Sequence, residues 1–282
     1  MYKGNGMKMD NRDQLQNYLK QIHAWEKDQK GLWFWEKLGR LPFKLLDKMT
    51  PKFIQDKMGV LVAELGSYVQ TGGQYLINEQ AFLKKIQEKS PEYTVAKIAD
   101  AGTIPFQDML DLSEELQLNR VKLATMQGAS TGIGGIFTLA IDIPLLLGMA
   151  LKTLQEIAII HGYDPQDKQE RVFIVKCLQF VSADIVGKEA ILQELSTMHE
   201  DSRNSENMIS QLEGWREVVF TYRDQFGWKK LFQMVPIAGI VFGAYANRGM
   251  INDIAETGNM LYRKRRIIEK LKEIEAIDDA TV

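Results

Sequence analysis

The sequence predicts an all-α protein, a single multi-helix domain with two glycine-rich apolar helices as its inner layer. Apolar residues recur at helical spacing, as in Ile54, Met58, Leu61 and Leu65, or Phe173, Cys177 and Phe180. Strict alternation over six or more residues is hard to find. Cap residues followed by proline, which suits a first helical turn because its missing N–H would be unpaired there, recur at Thr50-Pro51, Ser90-Pro91 and Asp164-Pro165.

Taken in order, these signals predict helices over 11–38, 51–70, 91–100, 105–127, 143–161, 165–186, 204–226, 229–247 and 250–274. The three cap-proline pairs open the second, third and sixth. Asp142-Ile143-Pro144 reads as a start at which the carboxylate caps. His161-Gly162 reads as a stop, glycine being the usual exit from a helix. Asp167 then falls in the next first turn, where its charge meets the positive end of the macrodipole. Gly66–Gly73 and the polar run 199–207 are the loop candidates. By segment, 1–24 is a tail with the start of the first helix, 25–270 the helical domain and 271–282 an acidic tail.

Composition narrows the function classes. With 282 residues, 45% hydrophobic and 26% charged, the chain is neither disordered nor collagenous. Its one cysteine, Cys177, closes no bridge within the chain, so the fold needs no oxidising compartment. The opening residues carry no apolar core or cleavage site of a signal peptide, and a cytoplasmic location is expected. A net charge of -2 gives no global attraction to nucleic acid. The charge is uneven, however: residues 1–60 hold twelve Lys/Arg against seven Asp/Glu. That basic stretch also carries Trp25, Trp33, Phe34 and Trp35 beside Lys37, Arg40 and Lys44. Aromatic rings favour the headgroup level of a bilayer and basic side chains its anionic surface, so these seven are membrane-contact candidates. The alternative is that the tryptophans anchor their helix to the core.

Gly128–Leu151 has one charge in 24 residues, and Val235–Asn247 none in thirteen. The pairs Gly128/Gly132 and Gly239/Gly243, four apart, place glycines on one helix face where a second backbone can approach; Gly135 joins them as a packing candidate. Each costs ~1 kcal/mol in helix propensity, so close packing is expected to offset it. The first segment has the length of a membrane span, but Asp142, Pro144 and its glycines interrupt it. Buried core helices are expected. Asp142, Glu156 and Asn247 are the buried-polar candidates, and a continuous helix would put Asp142 and Glu156 on one face.

Gly128-Ala129-Ser130-Thr131-Gly132 matches the nucleophile-elbow pattern G-x-S-x-G, which makes a serine hydrolase using Ser130 a remote alternative; an elbow needs a strand before it, and helices are predicted here. Gly132-Ile133-Gly134-Gly135 is no dinucleotide fingerprint. His23, His161 and His199 never fall four apart, so no metal and no cofactor is expected. Arg263-Lys264-Arg265-Arg266 reads as a solvated helix face. No residue is predicted to be catalytic.

Thr131-Gly132-Ile133-Gly134-Gly135, then Asp142-Ile143-Pro144-Leu145-Leu146-Leu147, Gln155-Glu156-Ile157, Gly162-Tyr163-Asp164-Pro165 and a distal Val235-Pro236-Ile237-Ala238-Gly239 segment resemble, in that order, the EcsC protein family over roughly Trp25–Arg266. The family has no established activity or catalytic residues. Its founding member is named for a gene encoded alongside an ABC transporter in Gram-positive bacteria. The resemblance therefore implies a non-enzymatic accessory or regulatory role near the inner face of the cytoplasmic membrane, with the membrane surface or a membrane protein, such as an ABC transporter subunit, as partner. A soluble module that binds a partner helix is the alternative.

Overall fold

The computed structural model describes residues 10–29, 68, 71–72, 77–131, 139–182, 185–197 and 247–280, and these form eight α-helices and no strand. They are α1 (Arg12–Asp28), α2 (Glu79–Lys89), α3 (Ile98–Ala101), α4 (Phe106–Thr131), α5 (Leu139–Ile160), α6 (Lys168–Ser182), α7 (Ile185–Thr197) and α8 (Asn247–Ala280). The expected all-α single domain is what these elements build around one core.

The centre is α8, 34 residues and so about 51 Å long. It packs on α1, α4, α5 and α6. Buried Ile251, Ile254, Leu261 and Ile267 supply its apolar contacts, each worth roughly 1.5–3 kcal/mol relative to exposure. Helix α4 runs antiparallel to it, since Gln117 bonds Asn252 while Lys270 reaches the Ile104 carbonyl. Helix α5 runs parallel, with Gly258 facing Leu154 and Arg266 bonded to the His161 carbonyl. The end of α4 and the starts of α5 and α8 therefore share one pole. Both glycine-rich segments have their described ends there, while Gly132, Gly135, Gly239 and Gly243 lie outside the described residues.

Helix starts follow local chemistry. Asn11 caps α1 by accepting the Asp13 N–H at 2.8 Å, and Asn78 caps α2 through the Ala81 N–H at 3.1 Å. The first N–H of α4 is capped from afar by Asp10, whose other carboxylate oxygen takes Lys270 at 2.6 Å. Within α1, Leu15 and Ile22 are buried in the core. At the other end, Arg12 holds Glu275 at 2.9 Å, and the acidic segment from 271 continues α8 to Ala280.

Three boundaries differ from expectation. Ser90-Pro91 ends a helix instead of opening one: the Ser90 N–H closes α2 on Ile86, its hydroxyl donates to Asp108 at 2.7 Å, and proline follows the cap as it commonly does. After Asp164-Pro165 the chain first makes a turn, the Asp164 carboxylate accepting the Gln166 N–H at 2.8 Å, and α6 begins at Lys168. Helix α5 begins four residues before Ile143 and runs through Pro144, so Asp142 lies in its first turn and is not its cap. Pro144, the sixth residue, lies past the four unpaired N–H groups of a helix start and so removes one intrahelical hydrogen bond, that to the Ala140 carbonyl.

Candidate functional site

The most polar part of the interior lies where α5 ends, α6 begins and α8 passes. The α5 stop is built as predicted. Gly162 adopts φ +78°, its N–H bonds the Ile159 carbonyl at 2.9 Å, and the Tyr163 N–H returns to Ala158 at 2.9 Å. This is a Schellman closure, which satisfies two carbonyls at the helix end. The remaining His161 carbonyl accepts Arg266 Nε at 2.8 Å.

Around this turn sits an aromatic cage. Tyr262, fully buried, lies 4.8 Å from the Phe173 ring, 5.6 Å from Tyr163 and 6.1 Å from His161, centre to centre. The Arg265 guanidinium enters it 3.9 Å from the Tyr163 ring centre and 4.4 Å from Phe173. There it pairs with Glu170, which also accepts the Tyr262 hydroxyl at 3.2 Å. Burial pushes the Glu170 carboxyl up, with Arg265 pulling against it. Burial alone would lower the Arg265 guanidinium, but Glu170 carries it above its usual value. Burial also raises the Cys177 thiol, so it is a packed apolar group and not a reactive one.

The basic run expected to be a solvated face is instead drawn inward. Lys264 meets Glu26 at 2.7 Å, Arg265 meets Glu170, Arg266 meets the His161 carbonyl, and Arg263 lies 3.5 Å from Glu114. Helices surround α8 on several sides, so neighbours on a surface helix become internal cations on a central one. Sequence periodicity registers the apolar stripe but not the helix's central place.

Glu156 is buried and paired with Arg120. The continuous helix does set Asp142 and Glu156 on one face, but fourteen residues are about 21 Å along the axis, so the two do not share a site. Gln155 donates to Tyr68 and to the Gly72 carbonyl, both at 3.3 Å. Trp25 is half-buried against Phe180, and its indole N–H donates to Glu256 at 2.8 Å, an arrangement that anchors α1 to the core. Trp33, Phe34, Trp35, Lys37, Arg40 and Lys44 lie outside the described residues, as do the side chains of Asp142 and Asn247. Ser130 stands in the last turn of α4, where the strained strand-to-helix turn of a nucleophile elbow is absent. Among the described residues no three His, Cys, Asp or Glu side chains are grouped to hold a metal.

His161 is the titratable group of greatest consequence here. Its Nδ1 lies 2.8 Å from the Ile157 carbonyl, which fixes the proton on that nitrogen, and burial lowers its pKa to about 3. The unfolded chain, with a histidine near 6.5, binds the proton more readily. Stability is therefore complete above about pH 6.5 and falls as pH drops toward 3, by up to ~1.4 kcal/mol per pH unit from this group. Glu170, raised by burial, works in the opposite sense. His161→Asn, which keeps an N–H near Nδ1, should flatten the decline of the urea midpoint between pH 6 and 4. A slope equal to wild type would show that other groups govern it.

The fold and this interior define an all-α protein whose polar core braces helices and whose motif residues Gln155, Glu156, Gly162 and Tyr163 serve that bracing. The chain belongs to the EcsC protein family, whose model matches residues 16–267. It is 58% identical over 269 residues, 95% of this chain and 98% of the relative, to a protein named "Uncharacterized protein YdbA" from Bacillus subtilis (strain 168). It is also 27% identical over 170 residues, 60% of this chain and 69% of the relative, to "Protein EcsC" of the same organism. No solved structure matches the chain.

Proposed function

We propose that this EcsC-family chain is a non-catalytic accessory or regulatory protein that associates peripherally with the inner face of the cytoplasmic membrane or with a membrane protein there, an ABC transporter subunit being the partner suggested by the family's founding member. The observation that carries this reading is the run Trp33-Phe34-Trp35 flanked by Lys30 on one side and Lys37, Arg40, Lys44 and Lys48 on the other, a pairing of interfacial rings with cations suited to an anionic leaflet. Two features bear on it. Trp25 and the run 263–266 are engaged internally, so the reading does not draw on them. Among the described residues no helix is long and apolar enough to cross a membrane, so the proposed association is peripheral. A second reading, a module that binds a partner helix, is favoured by Leu118 and Met126, 61% and 69% exposed eight residues apart on α4.

Vesicle co-sedimentation tests the first reading. Binding to phosphatidylglycerol-rich vesicles is expected, at about 1 kcal/mol per basic residue near the surface. It should weaken in 0.5 M salt and fall sharply in the Trp33→Ala/Trp35→Ala variant. Equal binding to neutral vesicles, or none to either, would remove the electrostatic mechanism and leave the partner-helix module.

A further inference from the structure

A cavity of about 280 Å³ opens between α1, α6, α7 and α8. Its inner wall is apolar: Phe173, Leu195 and Leu261 are 5% exposed or less, and Leu192 and Ile268 continue the lining. Its outer part is polar, with Ser196, Glu269 and Lys272. The volume is nearly twice the ~150 Å³ of a dry engineered cavity that takes up benzene, and just below the usual range of small-ligand pockets. It suits a molecule of about ten non-hydrogen atoms.

The charges are asymmetric. Glu26 is neutralised by Lys264 at 2.7 Å, Glu269 by Arg266 at 2.8 Å, and Arg265 by Glu170. Lys272, exposed, forms no ion pair among the described residues. After these pairings the lining is left with one cation, at the polar end, facing an apolar floor. Along α8 the lining residues Leu261, Arg265, Ile268 and Lys272 fall at steps of four, three and four, so one helical stripe leads from the floor to the free cation.

We propose that this cavity binds a single-chain monoanionic amphiphile, a medium-chain carboxylate of the size of octanoate, with its tail on Phe173, Leu192, Leu195 and Leu261 and its carboxylate on Lys272. Apolar burial of the chain supplies the affinity and the lysine sets orientation.

Isothermal titration of the full chain with octanoate, and separately with neutral 1-octanol, tests this. Saturable one-to-one binding of octanoate is expected. Lys272→Glu should weaken octanoate about five- to tenfold, as an exposed charge contact does, and leave octanol unchanged. Leu192→Trp, which fills the cavity, should abolish both; if that variant misfolds by circular dichroism, Leu195→Phe replaces it. Absence of saturable binding to the wild type would overturn the proposal, as would wild-type affinity in a folded cavity-filled variant. Equal weakening of octanoate and octanol by Lys272→Glu would overturn the headgroup assignment.

Discussion

Replacing Glu170 with leucine should destabilise the protein by about 3–5 kcal/mol, the range for removing one partner of a buried ion pair. Glu170 is 7% exposed and Arg265 14%, so water reaches neither well. Without the carboxylate, the guanidinium stays confined between Tyr163 and Phe173 with a buried Nε that already lacks a hydrogen bond, and the Tyr262 hydroxyl loses its acceptor at 3.2 Å. Against a total stability of about 5–15 kcal/mol this is a large fraction. The double variant Glu170→Leu/Arg265→Met should recover most of the loss, because desolvation burdens both charges and apolar replacements carry no such burden. An exposed pair provides the control: Lys85 and Glu115, 40% and 53% exposed at 2.9 Å, should contribute less than about 1 kcal/mol. Urea midpoints at pH 7 for the four members of the cycle give the coupling energy. Strictly additive losses would mean that Arg265 finds another partner and that the cage does not depend on Glu170.

How much of this was readable beforehand depended on whether the information was local. The α5 stop at His161-Gly162 was legible because a Schellman closure is encoded within six residues. For helix α2, Asn78, Glu79 and the spacing of Leu83 and Ile86 spell a cap, a favourable charge and a buried stripe, but Ser90-Pro91 reads as a helix start and hides them. Helix α7 was likewise absorbed into a gap, though Ile191 and Leu195 sit four apart. The core around Tyr262 could not be read from spacing at all, because Glu170, His161 and Arg265 come from three elements and meet only through the packing of α8. The run 263–266 shows the same limit. Four consecutive cations look solvated until each meets a carboxylate or carbonyl on a different neighbour.

Of the paired glycines, Gly132, Gly239 and Gly243 lie outside the described residues. Close approach does occur on α8, but at Gly258, where an added Cβ would meet Leu154 and Ile157, whereas Gly148 within the first apolar segment faces open space.

That distinction sets the second large effect. Gly162→Ala should cost about 2–5 kcal/mol, combining roughly 1–2 for an L side chain in the left-handed region with about 1–3 for overpacking. At φ +78° a Cβ would lie 2.5 Å from the Gly102 backbone nitrogen and 2.6 Å from its Cα. Those are main-chain atoms, so the end of α3 must shift as a unit. Arg266, whose Nη2 would be 3.0 Å from the same Cβ and which holds the His161 carbonyl, would be displaced with it. Gly258→Ala looks equally crowded, with Leu154 Cδ2 at 2.6 Å. There, however, the obstacle is the end of a flexible side chain, and alanine gains ~1 kcal/mol of helix propensity in compensation. Its net cost should stay within about 1–2 kcal/mol. Urea unfolding of both variants ranks them directly. If Gly162→Ala lies within 1 kcal/mol of wild type, the α3–α5 junction is looser than its geometry indicates, and the Arg266 brace does not depend on the turn's shape.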